Sequence, residues 1–95
     1  VFYNGTMFPS RYRSGVFVAM HGSHDRTPLE NDGYNVIFQP LGANGSASGA
    51  AETFADGFDG GGAPLPAQAD HRPVGVAVGP DGSLYVTDDA GGRIW

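Results

Sequence analysis

Val74-Gly75-Val76-Ala77-Val78, then Pro80-Asp81-Gly82-Ser83, then Leu84-Tyr85-Val86-Thr87 is the stretch on which the fold turns. Two short runs rich in β-branched and aromatic residues flank four turn-forming residues. Proline presets φ, aspartate bonds its own backbone, and glycine tolerates the left-handed region, so the stretch reads as an antiparallel hairpin. Downstream, Asp88-Asp89-Ala90-Gly91-Gly92 makes a second turn and Arg93-Ile94-Trp95 opens a third strand. Upstream, Val16 to Met20 forms a strand introduced by Ser14-Gly15, and Tyr34 to Gln39 forms another, stopped by Pro40. Glu52 to Ala55 reads as an edge strand. Leu41 to Ala51 is small and polar, a loop or hairpin tip, and Asp56 to Asp70 is the loosest stretch. No apolar stripe recurs at helical spacing.

Composition agrees with this pattern. Glycine (16) and proline (7) take about twice their usual share of the 95 residues, which excludes a helical bundle. With 40% hydrophobic and 12% aromatic residues, the chain is too apolar for a disordered tail. There is no cysteine, hence no disulfide and no thiolate metal site. A net charge of −5 argues against nucleic acid as the main partner. No apolar run is long enough to span a membrane as a helix. The chain starts at Val1 and stops mid-pattern at Trp95, so it reads as a fragment of a longer protein.

Ser14-Gly15-Val16-Phe17-Val18-Ala19 matches Gly82-Ser83-Leu84-Tyr85-Val86-Thr87. Phe17 aligned on Tyr85 gives an offset of 68 positions. A propeller blade takes roughly 40–50 residues, and the loops at 24–33, 42–51 and 56–70 account for the excess. The predicted fold class is therefore all-β: a fragment of a β-propeller comprising about two incomplete four-stranded antiparallel blades. Residues 1–58 supply strands b, c and d of one blade. Residues 59–73 cross between blades, and residues 74–95 supply strands a, b and c of the next. A small sandwich or barrel is the alternative. Phe17, Phe38, Tyr85 and Ile94 are expected in the core between blades.

In such blades the b–c loops and the d–a crossover share a face. That face then holds His21, His24, Asp25, Arg26, His71, Arg72, Asp88 and Asp89. The opposite face receives Pro80-Asp81-Gly82 and Asn44-Gly45-Ser46 as plain turns.

Gly5-Thr6-Met7-Phe8-Pro9, Tyr12-Arg13-Ser14-Gly15-Val16-Phe17-Val18-Ala19 and His21-Gly22-Ser23-His24-Asp25-Arg26 resemble the pyrroloquinoline quinone (PQQ) dependent sugar dehydrogenases. The resemblance is closest to the glucose/sorbosone branch, including L-sorbosone dehydrogenase-like proteins. Arg72-Pro73-Val74-Gly75-Val76-Ala77-Val78 and the run from Pro80 to Asp89 look like that branch's C-terminal end, with Gly92-Arg93-Ile94 completing it. The family usually has Trp-Asn where this chain has His24-Asp25, while Arg26 is kept. The resemblance makes residues 1–95 the C-terminal part of a single, six-bladed propeller domain. It implies a periplasmic or extracellular protein with PQQ on the loop face and Ca²⁺ nearby. It also implies oxidation of an aldose or sorbosone-type sugar, with electrons passed to a dye, quinone or cytochrome-type acceptor rather than NAD. The catalytic base of such enzymes is a histidine on an early blade, outside this fragment, so the isolated fragment is not expected to be active.

PQQ carries three carboxylates and an ortho-quinone. Arginine clamps carboxylates bidentately, and a cation near the quinone oxygen stabilises charge developing there. His21, Arg26 and Arg72 are accordingly the cofactor-lining candidates. Each has a plainer role open to it: His21 as a backbone partner, Arg26 paired with Asp25 or Glu30, and Arg72 bonded to Asp88 or Asp89. His24 is an exposed loop residue, and Asp88-Asp89 cap the turn that follows them. His21-x-x-His24-Asp25 is not a recognised zinc spacing, so no metal ligand is assigned. Asn4-Gly5-Thr6 and Asn44-Gly45-Ser46 fit the glycosylation pattern, which is common by chance. The competing function is a non-catalytic NHL- or YWTD-like propeller that binds a protein or a glycan. A lactone-hydrolase propeller lacks a convincing metal-ligand set here.

Overall fold

The computed structural model describes residues 1–22, 33–58 and 70–95. Six strands follow in chain order: β1 Gly15–Met20, β2 Asn35–Pro40, β3 Glu52–Ala55, β4 Pro73–Val78, β5 Leu84–Asp88 and β6 Arg93–Ile94. They form two three-stranded antiparallel sheets, β1-β2-β3 and β4-β5-β6, each a meander of consecutive strands. Among the described residues there is no α-helix. The all-β class and every predicted strand are present, each boundary lying within a residue or so of the sequence reading. The two turns decide the register. Asp81 accepts a hydrogen bond from the Ser83 amide (3.0 Å), and Gly82 holds φ +90, as the Pro-Asp-Gly signal requires.

The two sheets pack on each other through residues at strand spacing. Phe17 and Phe38 face each other across β1 and β2, and with Val36, Val86 and Tyr3 they form the buried core. Phe8, Tyr12, Phe54, Val76, Val78 and Leu84 pack around them. Phe17 is 0% exposed and has aromatic neighbours on several sides, with Phe54 at 4.7 Å and Phe38 at 5.2 Å between ring centroids.

The N-terminal stretch contributes more than the sequence reading gave it. Phe2 bridges Val16, and the Phe17 amide donates to the Val1 carbonyl (2.8 Å). Residues 1–3 thus lie against the edge of β1 opposite β2, in the place of a fourth strand. A 3-10 helix, Ser10–Ser14, follows Pro9 and brings Tyr12 over Phe17 and Phe38. Tyr3 is 2% exposed, and its hydroxyl donates to the Gly82 carbonyl (2.8 Å) while accepting from the Phe8 amide. One phenol therefore ties the N-terminal stretch to the β4–β5 turn of the other sheet.

Two of the four expected core residues need correction. Phe17 and Phe38 are core, but Tyr85 is 45% and Ile94 68% exposed. Side chains alternate along β5, and Tyr85 and Thr87 point to the face turned away from the first sheet. Ile94 pairs with Thr87 and shares that face. Val18 and Met20 are exposed on the corresponding outer face of the first sheet. Both sheets thus carry apolar side chains on both faces.

Candidate functional site

The chain leaves β1 at His21 and β5 at Asp89, and it enters β4 through His71 and Arg72. These three points lie on one edge of the paired sheets. His21 Nε2 is 2.9 Å from Asp89 Oδ2, and Arg72 Nε donates to Asp89 Oδ1 at 2.8 Å. The Asp89 amide also donates to the Arg72 carbonyl (3.2 Å), fixing the loop carrying one against the strand entry carrying the other. His21 and Asp89 are 68 positions apart, the same offset as Phe17 and Tyr85. They occupy equivalent places in the two copies of the repeat. The hydrogen bond from His21 does most to hold the Asp89 carboxyl below its ordinary range; partial burial opposes this and Arg72 assists it.

Asp88 plays a different part. Its side chain is fully shielded, and Oδ1 accepts from the amides of Arg72 (3.0 Å), Ala90 (3.0 Å) and Gly91 (3.1 Å). Oδ2 meets His71 Nδ1 at 2.5 Å. Burial alone would push the Asp88 carboxyl up. The amides of Arg72 and Gly91, then His71 and the Ala90 amide, outweigh it and hold the group well below the usual carboxylate range. Asp88 is therefore the turn cap expected of the Asp88-Asp89 pair. Asp89 is instead the acceptor shared by His21 and Arg72.

His71, Asp56, Gly57, Phe58 and Trp95 line a cavity of about 220 Å³ beside this cluster. The His71 amide donates to the Phe58 carbonyl (2.7 Å), and the His71 and Phe58 rings both meet Trp95 edge-on. Behind Phe58 packs Tyr34, which is 2% exposed and holds φ 56. Its hydroxyl is buried and has no hydrogen-bond partner among the described residues.

Of the three cofactor-lining candidates, His21 and Arg72 are brought together through Asp89. Arg26 lies outside the described residues, as do His24, Asp25 and Glu30. The Arg72 partnership weighed from sequence is the one formed, with Asp89. The sequence reading missed the cavity. Its Phe58 comes from the loosest segment and its Trp95 lies just past the shortest strand, and no spacing rule joins them. Among the described residues, no group of three or more histidine or acidic side chains is arranged to hold a metal ion. No helix among them is long and apolar enough to cross a membrane.

Comparison with known proteins gives a family. A family model described as TrAA12-like matches residues 2–95. An uncharacterized protein of Borreliella burgdorferi is 32% identical over 95 residues, covering 99% of this chain and 23% of the relative. The chain thus spans about a quarter of the length of that curated relative. No solved structure matches. These findings correct the family resemblance drawn from the sequence: the match is TrAA12-like, and nothing in the comparisons points to the PQQ-dependent sugar dehydrogenases. The Pro-Asp-Gly-Ser-Leu-Tyr-Val run is a generic strand–turn–strand signal, and the His21-Gly22-Ser23 and Arg72-Pro73-Val74-Gly75 segments that carried more of the resemblance do not decide the family.

Proposed function

The chain belongs to the TrAA12-like family, and we propose that it supplies two successive blades of a β-propeller whose loop face carries a quinone redox cofactor. In this proposal the cofactor is PQQ, and the substrate is an aldose or sorbosone-type sugar. Electrons leave to a dye, quinone or cytochrome-type acceptor rather than NAD, in a periplasmic or extracellular protein. The propeller part is supported by two meanders packed face to face, each with apolar residues left on its outer side, as repeated stacking demands. The functional part is carried by one observation: His21 and Arg72, from different sheets, meet on Asp89 at a single edge.

Imidazole and guanidinium are the donor types that a tricarboxylate quinone requires, so these residues fit such a group. A guanidinium carries five N–H donors, and the Nε bond to Asp89 sets its orientation. His21, steadied by the same carboxylate, places a ring nitrogen beside it. When bound, PQQ supplies an ortho-quinone that accepts the substrate's hydride. Arg26 is the third cofactor residue of the proposal. In this proposal Ca²⁺ lies near the cofactor, and the catalytic base is a histidine on an early blade, outside residues 1–95.

The commitment of both His21 and Arg72 to Asp89 favours a second reading, in which the cluster simply staples two repeats of a non-catalytic propeller that binds a protein or a glycan. Dye reduction by the full-length protein separates the two. With PQQ and Ca²⁺ added, turnover of aldoses, sorbosone or glucosone that collapses in Arg72→Ala and His21→Ala supports the redox reading. Absence of both PQQ binding and turnover refutes it and leaves the partner-binding propeller.

A further inference from the structure

We infer that the cavity between the end of β3 and β6 is a subsite for a neutral hydroxylated ring, a sugar, seated on Trp95 and Phe58 and hydrogen-bonded to Asp56 and His71. The inference names a seat for the sugar of the proposed function, and it rests on that reading only for the identity of the substrate class.

The wall is rigid. Trp95 pairs with Val86 through both of its backbone groups, N to O at 2.8 Å and O from N at 3.0 Å. Phe58 is tied by its carbonyl to the His71 amide. Their rings stand at 88° to one another, 6.2 Å apart, and form an apolar corner. At about 220 Å³, the cavity is smaller than the roughly 300–1,000 Å³ of sites for drug-sized ligands, so it suits a single ring.

The polar groups in it accept hydrogen bonds. Asp56 is one of its lining residues, and its side chain offers carboxylate oxygens to a donor. Asp88 is itself an acceptor, so His71 donates Nδ1–H to it. That leaves Nε2 as the ring nitrogen to meet a ligand. A ligand for this corner therefore carries donors on its rim and an apolar face, which is the chemistry of a pyranose or furanose. An organic cation would also favour aromatic and acidic lining. The Arg93 guanidinium already lies over one face of the Trp95 ring, 5.0 Å from its centroid, so this ring accepts a cation, and choline is the probe that decides between a cation and a sugar.

The test is calorimetric titration of the full-length protein with D-glucose and a panel of aldoses, and with choline as the cation probe. Variants are Trp95→Ala, Trp95→Phe, Asp56→Asn and His71→Gln, each checked for an unchanged urea midpoint. Aldose binding should weaken about tenfold or more in Trp95→Ala, with Trp95→Phe retaining most of it, and about tenfold in Asp56→Asn. His71→Gln removes a partner of Asp88, so any loss of fold there leaves Trp95 and Asp56 to decide. Aldose binding unmoved by Trp95→Ala and Asp56→Asn overturns the inference, as does binding of choline without any aldose. Aldose binding lost in Trp95→Ala, in a protein without PQQ-dependent dye reduction, sustains the subsite while the redox reading fails. PQQ-dependent turnover with a KM unmoved by Trp95→Ala does the reverse.

Discussion

Replacing Asp88 is the severest test of how the loop edge is held. The carboxylate accepts from three backbone amides and from His71, and its side chain is fully shielded. Asp88→Ala removes every one of these acceptors at once. Leaving a buried donor unpaired costs about 1–3 kcal/mol. The amides of Ala90 and Gly91 lie in an exposed turn where water can replace part of the loss. The Arg72 amide and His71 are better shielded. The sum is therefore about 3–5 kcal/mol, against a typical domain stability of about 5–15 kcal/mol. Asp88→Asn keeps Oδ1 for the three amides and turns an N–H toward His71, whose other tautomer can accept it. It should lose about 1–2 kcal/mol. The assay is urea unfolding of the full-length protein at pH 7 and again toward pH 3.

The sign of the pH effect follows from the lowered carboxyl. Below the ordinary aspartate range, near pH 4, the unfolded chain binds a proton that folded Asp88 refuses. The stability contributed by the carboxylate is whole above that range and drains away as pH falls toward the lower folded value. The gap between wild type and Asp88→Asn should therefore narrow on acidification. A loss under about 1 kcal/mol in Asp88→Ala would refute the cap. A gap that stays constant from pH 7 to pH 3 would refute the charge argument.

Tyr34→Phe removes a buried hydroxyl that has no partner among the described residues, so stability should hold within about 1 kcal/mol or rise; a larger drop in the urea midpoint would reveal a bonded hydroxyl. Gly82→Ala forces a side chain into φ +90 and brings its Cβ to 2.9 Å from the Met7 amide nitrogen, so unfolding should ease by about 1–3 kcal/mol. An unchanged midpoint would mean that the turn relaxes freely. Residues 1–95 alone expose Tyr85, Ile94, Val18 and Met20 on outward faces and should be insoluble or molten. A sharp cooperative thermal transition of that peptide would contradict this.

The strands were legible because β-branched runs and turn residues act locally. Val74–Val78, the Pro-Asp-Gly turn and Leu84–Thr87 need no distant partner to declare a hairpin. The layer of Tyr3, Phe8 and Tyr12 was not legible. Its residues alternate with glycine, proline and arginine, and only packing on Phe17 gives them an order. Burial of Tyr85 and Ile94 was misjudged for a related reason. Period-two alternation says that a residue faces one side of its sheet, but not whether another layer covers that side within the same chain. At the site, the shared face was legible from topology, since it needs only the direction of each strand. The partition of Asp88 as cap and Asp89 as bridge was not, because adjacent residues of one type differ only in which way the turn points them.

The meeting of His21 with Asp89 agrees with the repeat read from the sequence, since the two stand 68 positions apart and 2.9 Å from each other. The residue after β1 thus faces the residue after β5. A strictly repeated sequence would set like against like there, and two carboxylates at that distance repel. The chain avoids this by placing histidine in one copy and aspartate in the other, with Arg72 on the far oxygen. His21→Asp restores the like pair and should lower the urea midpoint of the full-length protein at pH 7. The same substitution made in an Asp89→Asn background should lower it far less, because the penalty belongs to the pair. A loss of equal size in both backgrounds would place the effect within β1 and its turn, and the repeat would no longer explain why these two residues meet.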